Sequence, residues 1–515
     1  MKEYENSLAG LHVIKASDEH YKKARNGSFP VIELYVDEKK SLGNTYLINS
    51  EKEKKLLVCI GNEESKINVE DARKSSVNAM FISQHLNSEE LMLSINIKDK
   101  VVYNKVLNAF IEGCILASFS FGDSFGEDKE SGKQDKGKQN KMGKQEKKTR
   151  LKTLYVPSYD EKLERTIKVA MCQNYARKLA NMPANIGTPE FFAKEAREIA
   201  NKYGLKFVLW DKKMLEKKGL NLALAVNSGS DRGVYLVHLS YKSKGAKKHF
   251  AVVGKGICFD SGGLGIKPAK SMANMHLDKS GACACFGIIK CCAMLKINAN
   301  VDAVCIFTEN LISGKASKPS SIIKSYAGKT VELLHTDAEG RLILADAMAY
   351  VTKHIKPDYI IDLATLTGAM LTTLGDKAIG LFTNNYELER ALIKAGHETY
   401  ERVWPMPMFK EYDEMIKSDV ADIKNLGSWE GYASSITGAK FIEAFVDGHA
   451  WAHLDIASMM EASWLPYIGK RGSGCGVRLV FKAMEHLILM NNNFNIFINI
   501  YPPTASNFLN AFFHM

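Results

Sequence analysis

Short apolar runs recur along the chain and are separated by stretches with helical spacing. Over residues 1 to about 120 the runs FPVIELYV, KKLLVCI and DKVVYNKV alternate with polar or helical stretches such as VEDARKSSVNAMFISQHL. That alternation predicts a small α/β unit without a catalytic cluster. From about residue 158 a helical pattern, EKLERTIKVAMCQNYARKLANM, leads into PANIGTPEFFAKEAREIANKYG. There Thr188 and Pro189 have the signature of an N-cap and first helical position, with Glu190 in the first turn. LNLALAV, GVYLVHLSY and FAVVG then read as strands, followed by a helix over about 281–296, VDAVCIF, a helix over about 341–354, YIIDLATL and KAIGLFT. Runs apolar on both faces and separated by helices predict a central mixed sheet covered by helices. The expected fold class is α/β: a small N-terminal α/β domain followed by a larger domain built on that sheet. Sites on such folds gather at the carboxyl ends of strands, and FAVVG ends just before Lys255.

At 515 residues the chain exceeds what one compact core ordinarily holds. Boundaries are expected at 1–150, 151–487 and 488–515, the last an Asn-, Phe- and Ile-biased extension without clear period. Residues 121–150 are low in apolar side chains, with nine basic residues against six acidic ones, and predict a solvated insert. The formal charge of +11 is modest for this length and scattered, so nucleic acid is not expected as the main partner. The basic insert leaves duplex DNA open as a secondary partner, which salt-sensitive binding would reveal. Neither a signal-peptide core nor an apolar window of spanning length occurs, so a cytoplasmic chain without membrane attachment is expected. The ten cysteines do not form a disulfide framework, and Cys283, Cys285, Cys291 and Cys292 crowd one predicted helix as small buried hydrophobes.

The chemistry concentrates in two strings, GKGICFDSGGLGIKP at 254–268 and HTDAEGRLILADA at 335–347, with MHLDKSGA between them. They bring together Lys255, Asp260, Lys267, Asp278, Asp337, Glu339 and Arg341, four acids among three bases. Asp260 sits in an apolar passage where an unpaired charge is costly to bury, so something positive must compensate it. One solution is an ion-pair network with Lys255 and Arg341. Another is metal: repulsion among the four carboxylates raises their pKa values unless cations lie between them. Oxygen-rich ligation permits zinc and equally suits manganese, magnesium or cobalt. HExxH is absent, and His276 and His335 read as hydrogen bonders beside the acids. A two-metal cleft with Lys267 and Arg341 as oxyanion stabilisers predicts a hydrolase. The residues alone leave amide hydrolysis and a two-metal phosphoesterase both open.

Taken with NxPxNxxTP at 181–189, ATLTGA at 364–369, SDVADIKN at 418–425 and WAHLDIA at 451–457, the two strings resemble the leucine aminopeptidase family over roughly residues 160–485. That resemblance implies a tight metal site of Lys255, Asp260, Asp278 and Glu339. It implies a more exchangeable site of Asp260, Glu339 and Asp337, the last through side chain and main-chain carbonyl. Two divalent ions per subunit follow, zinc foremost, with manganese, cobalt or magnesium in the exchangeable site. The implied reaction is attack of a metal-bridging hydroxide on the first peptide bond, with Lys267 stabilising the oxyanion and Arg341 holding a bicarbonate proton shuttle. Met275, Thr365, Gly368, Ala457 and Met460 would line an apolar pocket suited to leucine or another apolar residue. The implied substrates are short peptides with a free N-terminus, and the implied assembly is a homohexamer, a dimer of trimers. Four residues depart from the family pattern: His276, Lys279, His335 and Ser458. None is a ligand, but Lys279 adds charge directly after Asp278, and all four bear on metal preference, pH optimum and rate.

Overall fold

The computed structural model describes residues 11–25, 30–36, 45–49, 54–61, 63, 66–121 and 150–490. Apart from their edges, the expected insert at 121–150 and the extension at 488–515 lie outside the described residues.

The N-terminal sheet contains β1 (His12–Lys15), β2 (Val31–Tyr35), β3 (Thr45–Asn49), β4 (Lys54–Cys59), β5 (Glu90–Asn96) and β6 (Thr153–Val156). Their order is β1-β6-β5-β2-β4-β3, with every pair parallel except β3 and β4. β6 comes from beyond residue 150 and fills the gap between β1 and β5. DKVVYNKV, grouped by sequence with the apolar runs, opens the helix Lys100–Ala117. The Asp99 carboxylate caps it by accepting from the Val101 and Val102 amides. Val106, Leu107, Phe110, Ile111 and Cys114 then supply the buried stripe that only a helical period explains.

The strands that follow are β7 (Lys206–Trp210), β8 (Tyr235–Tyr241), β9 (His249–Asp260), β10 (Asn300–Asn310), β11 (Ser321–Lys324), β12 (Thr330–Leu333), β13 (Tyr359–Ala364), β14 (Ile379–Thr383), β15 (Val403–Pro405), β16 (Ile423–Lys424) and β17 (Ala450–Asp455). Eight form a mixed sheet in the order β15-β14-β17-β13-β9-β10-β8-β7, while β11, β12 and β16 make a small one beside it. At the centre, β17, β13, β9 and β10 are mutually parallel. Their side chains alternate between two cores. Phe250, Val252, Val301, Ala303, Ile361 and Leu363 pack on one face against the helices Glu161–Ala180, Ser280–Leu295 and Val477–Leu489. Ala251, Val253, Val304, Ile306 and Ile360 pack on the other against Gly340–His354 and Ser434–Glu443. Burial on both faces is why these strands are continuously apolar in sequence.

LNLALAV, read as a strand, is instead the helix Asn221–Asn227. A short apolar run carries no period of its own, and its Leu and Ala residues are strong helix formers. The expected cap at Thr188 is present: its hydroxyl accepts from the Phe191 amide, Pro189 opens the helix, and Gly204 in the left-handed region (φ 65°) ends it. All ten cysteines are free and buried. Among the described residues no helix is long and apolar enough to cross a membrane.

Candidate metal centre

The acids and amines meet at the carboxyl ends of the central parallel strands. β9 does not stop before Lys255, as the sequence suggested, but runs through it to Asp260. Residues five apart on a regular strand point to opposite faces. Here the register with β10 slips between Ile257 paired to Thr308 and Asp260 paired to Asn310, so β9 advances one extra residue. That bulge turns Lys255 and Asp260 to the same side. Gly262 (φ 88°) and Gly263 (φ 62°) then bend the chain back to bring in Lys267. Asp278 lies in a 3-10 turn, Met275–Lys279, that feeds the helix Ser280–Leu295. A Cβ at Gly281 would stand 2.0 Å from the Leu363 carbonyl oxygen, so only glycine lets this helix settle on the sheet with Asp278 beside Lys255. Glu339 immediately precedes the helix Gly340–His354, and a Cβ at Gly340 would stand 2.5 Å from Lys255 Cε.

Lys255 is 3% exposed and sits between two acids: its Nζ is 2.8 Å from Asp278 Oδ1 and 2.8 Å from Glu339 Oε1. It also donates to the Thr365 carbonyl at 3.0 Å. Burial opposes its charge, but Asp278, Glu339 and Asp260 outweigh burial and hold the ammonium above the ordinary lysine range. Lys267 Nζ lies 2.9 Å from Asp260 Oδ2 and 2.6 Å from Asp337 Oδ1. Lys267 is therefore the cation paired to Asp260; neither Lys255 nor Arg341 forms the ion pair with it considered from the sequence. Burial pushes Asp278 well above the usual carboxylate range, with Glu339 and Asp260 adding to it and Lys255 opposing. Burial likewise raises Asp337 to about 7, again with help from Glu339 and Asp260 and against Lys267.

Asp260, Asp337 and Glu339 present carboxylate oxygens that all lie within 4.8 Å of one another, the arrangement a cation needs. Asp278 Oδ2 and both Glu339 oxygens are buried without a hydrogen bond; the Lys255 contact to Glu339 is close but not aligned as one. Buried acceptors left in this state call for a partner that is not in the polypeptide.

The scaffold around the acids rests on residues to which the sequence attached no role. Asn310, at the end of β10, donates to Asp260 Oδ1 at 2.9 Å and to the Thr336 carbonyl at 3.0 Å. Thr336 Oγ1 donates to the Gly262 carbonyl and accepts from the Gly265 amide, both at 2.7 Å, pinning the two signature loops together. Asn425, fully buried, accepts from the Leu334 and His335 amides and donates to the His335 and Ala338 carbonyls. Its own carbonyl accepts from Arg341 Nη1 at 2.9 Å. The available signal was a polar residue closing an apolar strand in one case and the last letter of SDVADIKN in the other.

His335 Nδ1 accepts from the Asp337 amide at 3.1 Å, and its ring meets that of exposed Trp429 edge-on. Lys279 forms no ion pair with the acids among the described residues: its buried amine donates to the Met182 carbonyl at 3.1 Å and to that of His276, and Asp278 acts on it only through space. His276 is lowered to about 4 by burial, with Lys279 and Arg471 adding to it. Ser458 donates to the Ala378 carbonyl at 2.6 Å. Arg341 is buried with its Nε unpartnered, and burial lowers it to about 10 against the pull of Glu339 and Asp455. Of the expected pocket residues, Thr365 donates to Asp278 Oδ1 at 2.7 Å, and Met275 opens the turn that carries Asp278. Asp455 Oδ1 accepts from the Leu366 and Ala457 amides and so ties those two loops together. Gly368 is exposed; Ala457 and Met460 are half-buried.

The model of the cytosol aminopeptidase family's catalytic domain matches residues 174–481, which contain every one of these groups. The chain belongs to this family. It is a metal-dependent aminopeptidase, a metalloexopeptidase. Among similar proteins, a probable cytosol aminopeptidase of Chlorobium limicola is 42% identical over 74% of this chain and 75% of its own. Another, from Chlorobaculum tepidum, is 38% identical over 93% of both chains. The solved structure of the bottromycin maturation enzyme BotP in complex with Mn shares the fold, with a TM-score of 0.77 at 24% identity over 89% of this chain and 99% of that one.

Proposed function

We propose that this aminopeptidase uses two divalent ions to release one N-terminal residue, preferably leucine or another apolar residue, from short peptides with a free N-terminus. The observation that carries the proposal is the convergence of Asp260, Asp337 and Glu339 within 4.8 Å beside Lys255. Lys255, Asp260, Asp278 and Glu339 would hold the tighter ion. Asp260, Glu339 and Asp337, the last through side chain and main-chain carbonyl, would hold the more exchangeable one. The orphaned oxygens of Asp278 and Glu339 support this fit. Zinc is the first choice for both, with manganese, cobalt or magnesium in the exchangeable position. When bound, such ions supply Lewis acidity toward the scissile carbonyl and an acidified water.

The chain's own groups take the remaining work. Lys267, 15% exposed at its side chain, is more open than Lys255 and is assigned the developing oxyanion. Arg341, with an unpartnered Nε, is assigned a bicarbonate that carries the proton. Met275, Thr365, Gly368, Ala457 and Met460 are assigned to the first side chain; the links from Thr365 to Asp278 and from Asp455 to both loops support that grouping. Assembly as a homohexamer, a dimer of trimers, rests on family membership. Leucine-p-nitroanilide should be cleaved after loading with zinc, manganese or cobalt, and exhaustive chelation or Asp337→Ala should abolish cleavage. Turnover surviving both treatments would overturn the proposal.

A further inference from the structure

We propose a second binding site, separate from the metal centre, that takes a phosphate group, free or carried on a small organic molecule. It is a 330 Å³ cleft where the chain leaving the helix Lys100–Ala117 meets the loop 466–471. Its walls include Phe119, Phe121, Arg177, Tyr467, Lys470 and Arg471; three are cations, and among the described residues no acid lines it.

Arg177 carries the argument. It is 2% exposed, yet its guanidinium meets only neutral acceptors: the Leu116 carbonyl at 2.7 Å, Asn174 Oδ1 at 2.8 Å and the Ile468 carbonyl at 2.6 Å. The Phe119 ring stacks on it at 4.2 Å, and its Nε has no partner. Burial lowers its pKa to about 9, and the nearby Arg478 adds to the effect. Among the other buried arginines, Arg73 and Arg478 are paired to Glu112, whereas Arg341, like Arg177, meets a neutral carbonyl and keeps an unpartnered Nε; it is the residue assigned an anion at the metal centre. A buried cation without a counter-charge is unfavourable, and the arrangement becomes favourable when an anion enters beside it.

Lys470 and Arg471 are exposed at the mouth and form no ion pair among the described residues. Arg471 stands 5.6 Å from the Phe121 ring and is held at φ 80°, a left-handed backbone that residues bearing a Cβ rarely adopt. The loop thus brings two exposed cations to the cleft that Arg177 also lines. Guanidinium and ammonium groups converging on one space select phosphate oxygens, which accept charge-assisted hydrogen bonds. A volume of 330 Å³ exceeds one phosphate and falls in the range of about 300–1,000 Å³ typical of small-ligand sites, so aromatic walls are left for an organic remainder.

The test is equilibrium dialysis of the metal-loaded chain against radiolabelled inorganic phosphate, and separately against ribose 5-phosphate, at fixed ionic strength. Wild type is expected to bind one more phosphate per chain than Lys470→Ala/Arg471→Ala, or to bind it about tenfold or more tightly. Both substitutions are at exposed positions, and an unchanged melting curve in phosphate-free buffer checks the fold. Tighter ribose 5-phosphate assigns the site to an organic phosphate; equal binding assigns it to the free anion. Identical stoichiometry and affinity in wild type and the double variant would overturn the proposal, because any phosphate bound would then belong to the metal centre.

Discussion

Asp337 sets the terms of competition between proton and metal. With its carboxyl raised to about 7, Asp337 in the metal-free chain is still partly protonated at neutral pH. A raised acid pKa means protons win below that value, so metal affinity at the exchangeable position should fall as pH drops through about 7. Lys255, held above the ordinary lysine range, must also lose a proton to donate its lone pair. Titration calorimetry in two buffers of different ionisation heat should therefore show proton release on metal uptake. Affinity that does not change from about pH 6 to pH 8 would refute the proton competition. Lys267→Ala should lower kcat by about 10²-fold or more while leaving metal content intact, as expected for an electrophile that acts on the transition state. Loss of metal in that variant would assign Lys267 a ligand's role instead. The charged groups themselves were legible in the sequence because acids and bases stand out in apolar, glycine-rich surroundings. Asn310, Thr336 and Asn425 were not, since an amide or hydroxyl has a role only once folding shows which main-chain groups are brought to it.

At the level of elements, the site depends on close backbone approaches. Gly281→Ala would place a methyl 2.0 Å from the Leu363 carbonyl oxygen, forcing the helix Ser280–Leu295 off the sheet at a cost of about 1–3 kcal/mol or more. Urea unfolding should show the loss, and the shift of Asp278 should weaken metal retention with it. An unfolding midpoint and metal content equal to wild type would mean that this contact does not position the turn. Asn425→Ala removes the partners of the 334–338 main chain and should cost about 1–3 kcal/mol per buried group left unpaired. The alternation of strands and helices was readable because both sheet faces are covered. The bulge in β9 was not: it is a property of the pairing with β10, and without it Lys255 and Asp260 would face opposite ways. LNLALAV was ambiguous for the related reason that tertiary packing, not period, decides so short a run.

Across the whole molecule, the N-terminal region and the catalytic domain are joined by a buried ionic network. Arg73, from the N-terminal region, contacts Glu112 at 2.6 Å, pairs with Glu70 and donates to the Glu398 carbonyl at 3.3 Å. Arg478 reaches back to Glu112 at 3.3 Å and to Glu401 at 3.5 Å, while the Tyr467 hydroxyl donates to Glu70 at 2.9 Å. Removing one member leaves uncompensated buried charge, so Arg73→Met should destabilise by about 3–5 kcal/mol. Thermal unfolding should register that loss without a change in metal affinity at 25 °C; a loss of metal alone would point to a different role. No single segment announces this network, because its members are scattered from Glu70 to Arg478 and only the fold assembles them.

The central claim is that the site acts on a free N-terminus, and it is tested most directly by comparing Leu-Gly with N-acetyl-Leu-Gly on the metal-loaded chain. Release of free glycine from Leu-Gly alone is the predicted result. Equal release from the acetylated peptide would contradict it.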